Sequence, residues 1–333
     1  RREFAVLLAI CLLGCGKRHP GQAGAAGDAA QRLRIAVIPK GTTHEFWKSV
    51  HAGAVKASRE FGADVIWKGP LKEDDLKQQI DLVQSFTAQR VSAIALAPLN
   101  DKALVSSVDG AQAAGVPVVI FDSALQGDRY VSFVATDNRL AGRQAGEHLT
   151  TLLGGKGNVV VLRYQEGSAS THDREQGFLE AIQKSAGIRI ISDNQYGGAT
   201  TESAFSASEN LLLSQEAAKG KINGVFCPNE STTFGMLLAL QKSGLAGKIR
   251  FVGFDASDKL VQGMVSGAID ALILQNPVEM GYLAVKTAVD KLQGHSVQKR
   301  VDTGSTVVTR DNMNQPQVAQ LLKPDLAKWL GGG

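Results

Sequence analysis

GVPVVIFDS, residues 115–123, is a turn signal, an unbroken apolar run and a carboxylate. Gly115 and Pro117 punctuate the chain, and the run that follows is too short for a helix and apolar on both faces. It reads as a strand buried inside a parallel sheet. The same grammar recurs. RIAVIP ends at Lys40, SAIALAP at Asn100, INGVFCP at Asn229, IRFVGF at Asp255 and IDALIL at Gln275, and GNVVVLRY leads to a loop carrying Arg174. Ligands of open α/β sheets sit outside the carboxyl ends of the strands. Polar tips in both halves of the chain therefore predict two sheets facing one pocket.

Amphipathic stretches separate these runs, near 45–60, 73–89, 101–114, 138–153, 174–185, 201–218, 231–243, 256–266 and 278–293. In 73–89, Leu76, Ile80, Leu82, Val83 and Phe86 recur at helical spacing. Alternation of this kind builds βαβ units with right-handed crossovers. The fold class is α/β: two doubly wound parallel-sheet lobes joined by a multi-strand hinge. The expected division is 33–136 plus 276–302 for the first lobe, and 137–275 plus 303–333 for the second. A tail too short for a third domain must pack on the first two, so the chain crosses between lobes more than once. Few crossings make a hinge.

The 333 residues suit two domains, and 44% hydrophobic with 20% charged residues is an ordinary globular composition. The net charge of +4 is concentrated at the start. Residues 1–32 hold five basic residues against Glu3 and Asp28, which leaves a nearly neutral body with no nucleic-acid stripe. Cys11, Cys15 and Cys227 lack metal-ligand spacing, and Cys227 reads as a small buried hydrophobe. No metal or cofactor is implied. The chain carries no G-x-S-x-G elbow, P-loop, G-x-G-x-x-G or H-E-x-x-H, so it is read as a non-enzyme.

Arg1 and Arg2 precede the apolar run Phe4–Leu13, too short to span a bilayer, which closes as Leu12-Leu13-Gly14-Cys15. This resembles the lipobox of bacterial lipoproteins. The resemblance implies a signal peptide over 1–14, a lipidated Cys15 and a Gly/Ala-rich tether through residue 32. The protein would then be periplasmic or extracytoplasmic and held to the membrane by that lipid.

The body resembles the periplasmic sugar-binding proteins of the ribose-binding type, whose type I fold is shared with lactose-repressor-like ligand domains. The segments that carry the resemblance are IAVIPKGTTHEFW (35–47), AIALAPLNDKAL (93–104), GVPVVIFDS (115–123), VATDNRLAGRQAG (134–146), REQGF (174–178), VFCPNESTTFG (225–235), VGFDAS (252–257) and LQNPVEMG (274–281). It implies a ligand set of Lys40, His44, Phe46, Trp47, Asp122, Ser123, Arg174, Asn229, Asp255 and Gln275. Phe46 and Trp47 would stack on the sugar ring, and the polar members would meet its hydroxyls. Lys40, His44, Ser123 and the absence of an aromatic near 197–200 depart from the ribose binder. They imply another monosaccharide and a roomier second-lobe wall. The implied partners are the membrane permease of an ABC importer and no nucleic acid, with the protein a monomer.

The residue set suits such a ligand. Carboxylates accept from hydroxyls, Lys and Arg donate, and Asn and Gln do both. Aromatic faces cover the apolar C–H faces of the ring. Plainer roles also fit. Asp255 and Asn229 can cap the helices that follow them, Trp47 can be core, and Arg174 can pair with Asp173 or Glu175. Asp137 and Asn138 read as a hinge and cap element. A regulator of the lactose-repressor type would need a helix-turn-helix ahead of the body, and residues 1–32 hold none. Two related readings share the site: a binder of an autoinducer-2-like furanose signal, and a sugar sensor feeding a membrane receptor.

Overall fold

The computed structural model describes residues 32–331. The signal-like stretch and Cys15 lie outside them. The first lobe begins with β1 (Arg34–Ile38), α1 (Glu45–Phe61), β2 (Asp64–Trp67), α2 (Leu76–Ala88), β3 (Ala93–Leu96), α3 (Val105–Ala113), β4 (Val118–Phe121) and β5 (Ser132–Ala135). The second repeats the plan with α4 (Asn138–Leu152), β6 (Lys156–Arg163), α5 (Ala169–Ile182), β7 (Gly187–Tyr196), α6 (Thr201–Ser214), β8 (Gly224–Phe226), α7 (Glu230–Lys242), β9 (Arg250–Phe254), α8 (Asp258–Val265) and β10 (Ala271–Leu274). The tail supplies α9 (Pro277–Leu292), β11 (Arg300–Asp302), β12 (Thr306–Thr309), α10 (Pro316–Leu322) and α11 (Ala327–Leu330).

Two six-stranded sheets result, ordered β11-β5-β4-β3-β1-β2 and β12-β10-β9-β8-β6-β7. All pairings are parallel except β10 with β12. Each sheet is covered on both faces. In the first lobe, Val37, Ala95 and Val119 face α1 and α9, while Ile38, Leu96 and Ile120 face α2 and α3. In the second, Val161, Phe226 and Val252 face α4 and α5; Leu162, Cys227 and Phe251 face the other helical layer. Cys227 is fully buried there, and burial pushes its thiol pKa well up.

The chain passes between lobes at 136–137, 275–276 and 303–305. Arg300 ties two of these passages, donating from Nη1 to Ala135 O at 2.7 Å and from Nη2 to Thr136 O at 3.0 Å. Thr136 Oγ1 donates to Gly304 O at 3.1 Å, and the Asp137 N–H to Asp302 Oδ1 at 3.0 Å. Asp137 also caps α4, accepting from the Leu140 N–H. The tail differs from its expected place wholly on the second lobe. Val318 and Leu322 of α10 join the second-lobe core, but α11 rests on α1 of the first lobe. There Arg59 donates to Lys328 O and Trp329 O and stacks over the Trp329 ring.

Three element boundaries differ from the periodic reading, and each matters for the cleft. Asp75 caps α2 by accepting from the Gln78 N–H at 2.9 Å, which leaves residues 73 and 74 in a loop. Helix α5 begins five residues earlier than its apolar spacing suggests, so Arg174 stands on a helix and not on a loop. The helix after Asp255 is capped by Ser257, which frees the Asp255 carboxylate.

Helices α4 and α5 cross backbone to backbone. A Cβ on Gly142 would lie 2.0 Å from Arg174 O, and one on Gly177 would lie 2.1 Å from Arg139 O. Glycine at 177 is therefore a packing requirement of the helix that carries Arg174. Gly177→Ala should destabilise the fold by roughly 1–3 kcal/mol through overpacking, read as a lowered denaturant midpoint. An unchanged midpoint would mean that the two helices can part without loss.

Candidate functional site

Both sheets point their carboxyl ends at one cleft. From the first lobe come Lys40 after β1, His44, Phe46 and Trp47 around the start of α1, Glu73 from the loop before α2, and Asp122 after β4. From the second come Tyr164 after β6, Ser170, Thr171 and Arg174 of α5, Asn229 and Glu230 after β8, Asp255 after β9 and Gln275 after β10. These side chains enclose a cavity of about 30 Å³.

Asp122 and Asp255 occupy matching places in the two lobes. Each follows a strand with a left-handed backbone, φ 61° and 67°. Each N–H donates to the neighbouring strand, at Val134 O and Ile273 O respectively, both at 3.0 Å. Left-handed geometry is uncommon outside glycine, and aspartate is one of the residues that tolerate it. Here it turns both carboxylates off the sheet edge into the cleft.

Charges in the cleft are met individually. Lys40 Nζ lies 3.2 Å from Asp122 Oδ2 and donates to Ser168 Oγ and Ser170 Oγ of the other lobe at 3.2 and 3.0 Å. Glu73, 6% exposed, accepts from Trp47 Nε1 at 2.6 Å and from Tyr164 OH at 2.6 Å, and lies 2.8 Å from His44 Nδ1. Burial opposes the charge of both His44 and Glu73. Their mutual hydrogen bond and attraction outweigh it, holding the imidazolium pKa up at about 9 and the carboxyl pKa down at about 2.

Arg174 is 2% exposed. It donates from Nε to Asn138 Oδ1 at 2.8 Å and from Nη1 to Pro228 O at 2.9 Å, with its guanidinium 4.3 Å above the Phe254 ring. Burial lowers its pKa, against the pull of Asp255 and Asp122. Asp255 accepts from Gln275 Nε2 at 2.7 Å and from the Glu230 N–H at 3.1 Å, and burial pushes its carboxyl pKa up. Gln275 Oε1 is buried with no donor among the described residues. Burial likewise raises the Glu230 carboxyl pKa to about 7, with Asp255 adding to the rise and His44 opposing it. Among the described residues, no group of three or more His, Cys, Asp or Glu side chains is placed to hold a metal ion.

A periplasmic binding protein domain matches residues 35–296, the greater part of the chain. The chain belongs to the periplasmic binding protein family. It is 28% identical to the D-ribose/D-allose-binding protein of Pseudomonas aeruginosa, covering 89% of this chain and 93% of that protein. A carbohydrate transporter solute-binding protein from Agrobacterium radiobacter, solved with D-arabinose, is 32% identical with a TM-score of 0.84, covering 89% of this chain and 100% of that one. A solute-binding protein from Agrobacterium vitis, solved with D-fucose, is 33% identical with a TM-score of 0.83, over 87% and 100%.

Nine of the ten side chains named from the sequence line this binding-protein cleft: Lys40, His44, Phe46, Trp47, Asp122, Arg174, Asn229, Asp255 and Gln275. Several hold the plainer role as well. Trp47 is also core, edge-on to Phe46 and Phe121. Asn229 caps α7, accepting from the Thr232 N–H and Oγ1 at 3.3 and 2.6 Å. Asn138, read as part of a hinge and cap element, holds Arg174. Ser123 stands apart. It is fully buried, does not line the cavity, and accepts from the Ser170 N–H at 3.1 Å. Tyr164 brings a ring into the second-lobe wall from the end of β6.

Glu73, Tyr164, Ser170, Thr171 and Glu230 were not singled out from the sequence. Tyr164 and Glu230 adjoin strand tips that were noted, and their position was the available signal. Glu73 had none, since it falls at the head of a helical pattern.

The His44–Glu73 pair sets a pH window. The folded pKa of His44 lies above its ordinary 6.5, so its contribution is full below 6.5 and lost as pH rises through about 9. That of Glu73 lies below its ordinary 4.5, so its contribution is full above 4.5 and lost as pH falls through about 2. The pair should stabilise most between pH 4.5 and 6.5. In an NMR titration, His44 should still be protonated at pH 8, and Glu73→Gln should return its pKa to the ordinary histidine range or below. A His44 that titrates near 6.5 in the unmodified protein would contradict the pairing.

Proposed function

We propose that this protein is an extracytoplasmic solute-binding protein that captures a neutral monosaccharide, a pentose or hexose, between its lobes and delivers it to an ABC importer. The observation that carries this reading is the convergence on one cavity, from both sheets, of nine side chains that the family resemblance implies as ligand contacts. The charge balance supports an uncharged ligand. Lys40 faces Asp122, His44 faces Glu73, and Arg174 has Asp255 within its field, while burial pushes the fourth carboxyl, Glu230, toward its neutral form. A ligand bearing its own charge would leave one of these unmatched, which is costly in a buried site. What the cleft offers is acceptors and donors for hydroxyls, with the Gln275 Oε1 acceptor not otherwise used among the described residues.

The relatives support the sugar class. Their names and bound ligands include D-ribose, D-allose, D-arabinose and D-fucose. The remaining volume of about 30 Å³ supports a hinge mechanism. Ligand pockets usually measure roughly 300–1,000 Å³, so a sugar enters only when the lobes part. Closure then follows to the extent that the sugar contacts both lobes better when they meet. Binding of this kind leaves the ligand unchanged, and no enzymatic step is assigned. The protein acts as a monomer, anchored through a lipid on Cys15.

A thermal-shift screen over aldopentoses, aldohexoses and ketohexoses should raise the melting temperature with a subset of them. If no sugar does so, the reading falls. With a sugar in hand, Asp122→Ala and Arg174→Ala should each weaken calorimetric affinity by about 2 kcal/mol or more, since each removes a charged partner in a buried site. Unchanged affinity in both would place the ligand elsewhere. Separately, Cys15→Ser should move the protein from the membrane to the soluble fraction, and persistent membrane association would reject the anchor.

A further inference from the structure

Two helices at the cleft begin without a cap of their own. The position before α1 is His44, whose side chain makes no capping bond, and the position before α5 is Ser168, which makes none either. These helices hold matching places, each following the first strand of its lobe. The first N–H groups of a helix have no partner inside it. In both cases the other lobe supplies one. The Glu45 and Phe46 N–H groups of α1 donate to Glu230 Oε1 and Oε2 at 3.2 and 3.1 Å. The Ser170 N–H of α5 donates to Ser123 Oγ at 3.1 Å. By contrast, α4, α7, α8 and α9 are capped locally, by Asp137, Asn229, Ser257 and Asn276.

We propose that Glu230 and Ser123 are reciprocal positioning residues, each capping from across the cleft the helix that carries the other lobe's ligand contacts. The proposal rests on the two-lobe sugar reading and assigns it a closing device. Helix α1 begins at Glu45 and carries Phe46 and Trp47, and α5 carries Ser170, Thr171 and Arg174. Parting the lobes withdraws a cap from each helix and exposes its first N–H groups to water. Closing restores both caps, and the ionised fraction of Glu230 also meets the positive end of the α1 dipole. The first turns that grip the ligand are thus completed only when the lobes meet. The caps act after capture, so they govern release and not entry. Ser123 is in this account a cap and not a ligand contact, which explains its full burial outside the cavity.

The test compares unmodified protein with Glu230→Ala, Glu230→Gln and Ser123→Ala, first by amide hydrogen exchange and then by stopped-flow binding. Loss of a cap should speed exchange of the Glu45 and Phe46 amides in Glu230→Ala, and of the Ser170 amide in Ser123→Ala, by roughly fivefold to thirtyfold. Glu230→Gln keeps one acceptor oxygen and should fall between. With a sugar found by the screen, and Trp47 fluorescence as the signal, dissociation should accelerate by a similar factor. The association rate should stay within about twofold, because most interface changes act on dissociation. A merely structural role would not give that split, nor the partial rescue by Gln. Wild-type exchange at these amides, or a slowed association with unchanged dissociation, would overturn the proposal. If no sugar binds the unmodified protein, the sugar reading fails by itself and the exchange data alone decide the caps.

Discussion

The buried carboxylate of Glu73 is the interaction on which the cleft depends. Removing a carboxylate from water is expensive unless hydrogen bonds and opposite charge replace the solvent. Here Trp47 and Tyr164 donate to it at 2.6 Å each, and the His44 imidazolium lies 2.8 Å away. Two of these partners come from the start of α1, and the third from the end of β6 in the other lobe. One charge therefore fixes the aromatic wall of the first lobe and binds it to the second. It also keeps His44 cationic, which in turn restrains the carboxyl of Glu230 beyond it.

Around that charge, the two lobes solve the same problem in the same way. A strand delivers an aspartate in the left-handed region, Asp122 in one lobe and Asp255 in the other, and a neighbouring strand carbonyl takes its N–H. The next helix in each sheet layer must then begin at the cleft, because parallel strands all end on that side. Helix starts are rich in unpaired N–H groups, so the cleft is lined by caps. Asn229, Asn276 and Asp137 meet that need from nearby residues. For α1 and α5 it is met from the opposite lobe, which links local helix chemistry to the meeting of the lobes.

Much of the cleft is legible along the chain because its residues sit at strand ends, and strand ends are marked by the change from apolar to polar. Lys40, Asp122, Asn229, Asp255 and Gln275 are visible for this reason. Arg174 is visible through the motif around it, though its helix starts earlier than its apolar spacing indicates, because the first turn of α5 is polar and faces the cleft. Glu73 is hidden. Its neighbours show helical periodicity from Leu76 onward, and nothing in a periodic pattern reveals that Asp75 ends the helix before it reaches 73. The capping roles of Glu230 and Ser123 are hidden for another reason. Their partners are backbone N–H groups 184 and 47 positions away, and backbone groups leave no trace in a sequence.

The sequence by itself determined the alternation of strands and helices, the two-lobed α/β plan and the polar tips that point into the cleft. Hydrophobic periodicity is a local property, and the direction of parallel strands follows from it. Only the tertiary structure decided how the charges pair, which helix starts borrow a cap, and that the final turn, Ala327–Leu330, crosses back to α1. These depend on distances between residues far apart in the chain. A hydrogen bond is made or lost within a few tenths of an ångström, and only the packed sheets and helices set that distance.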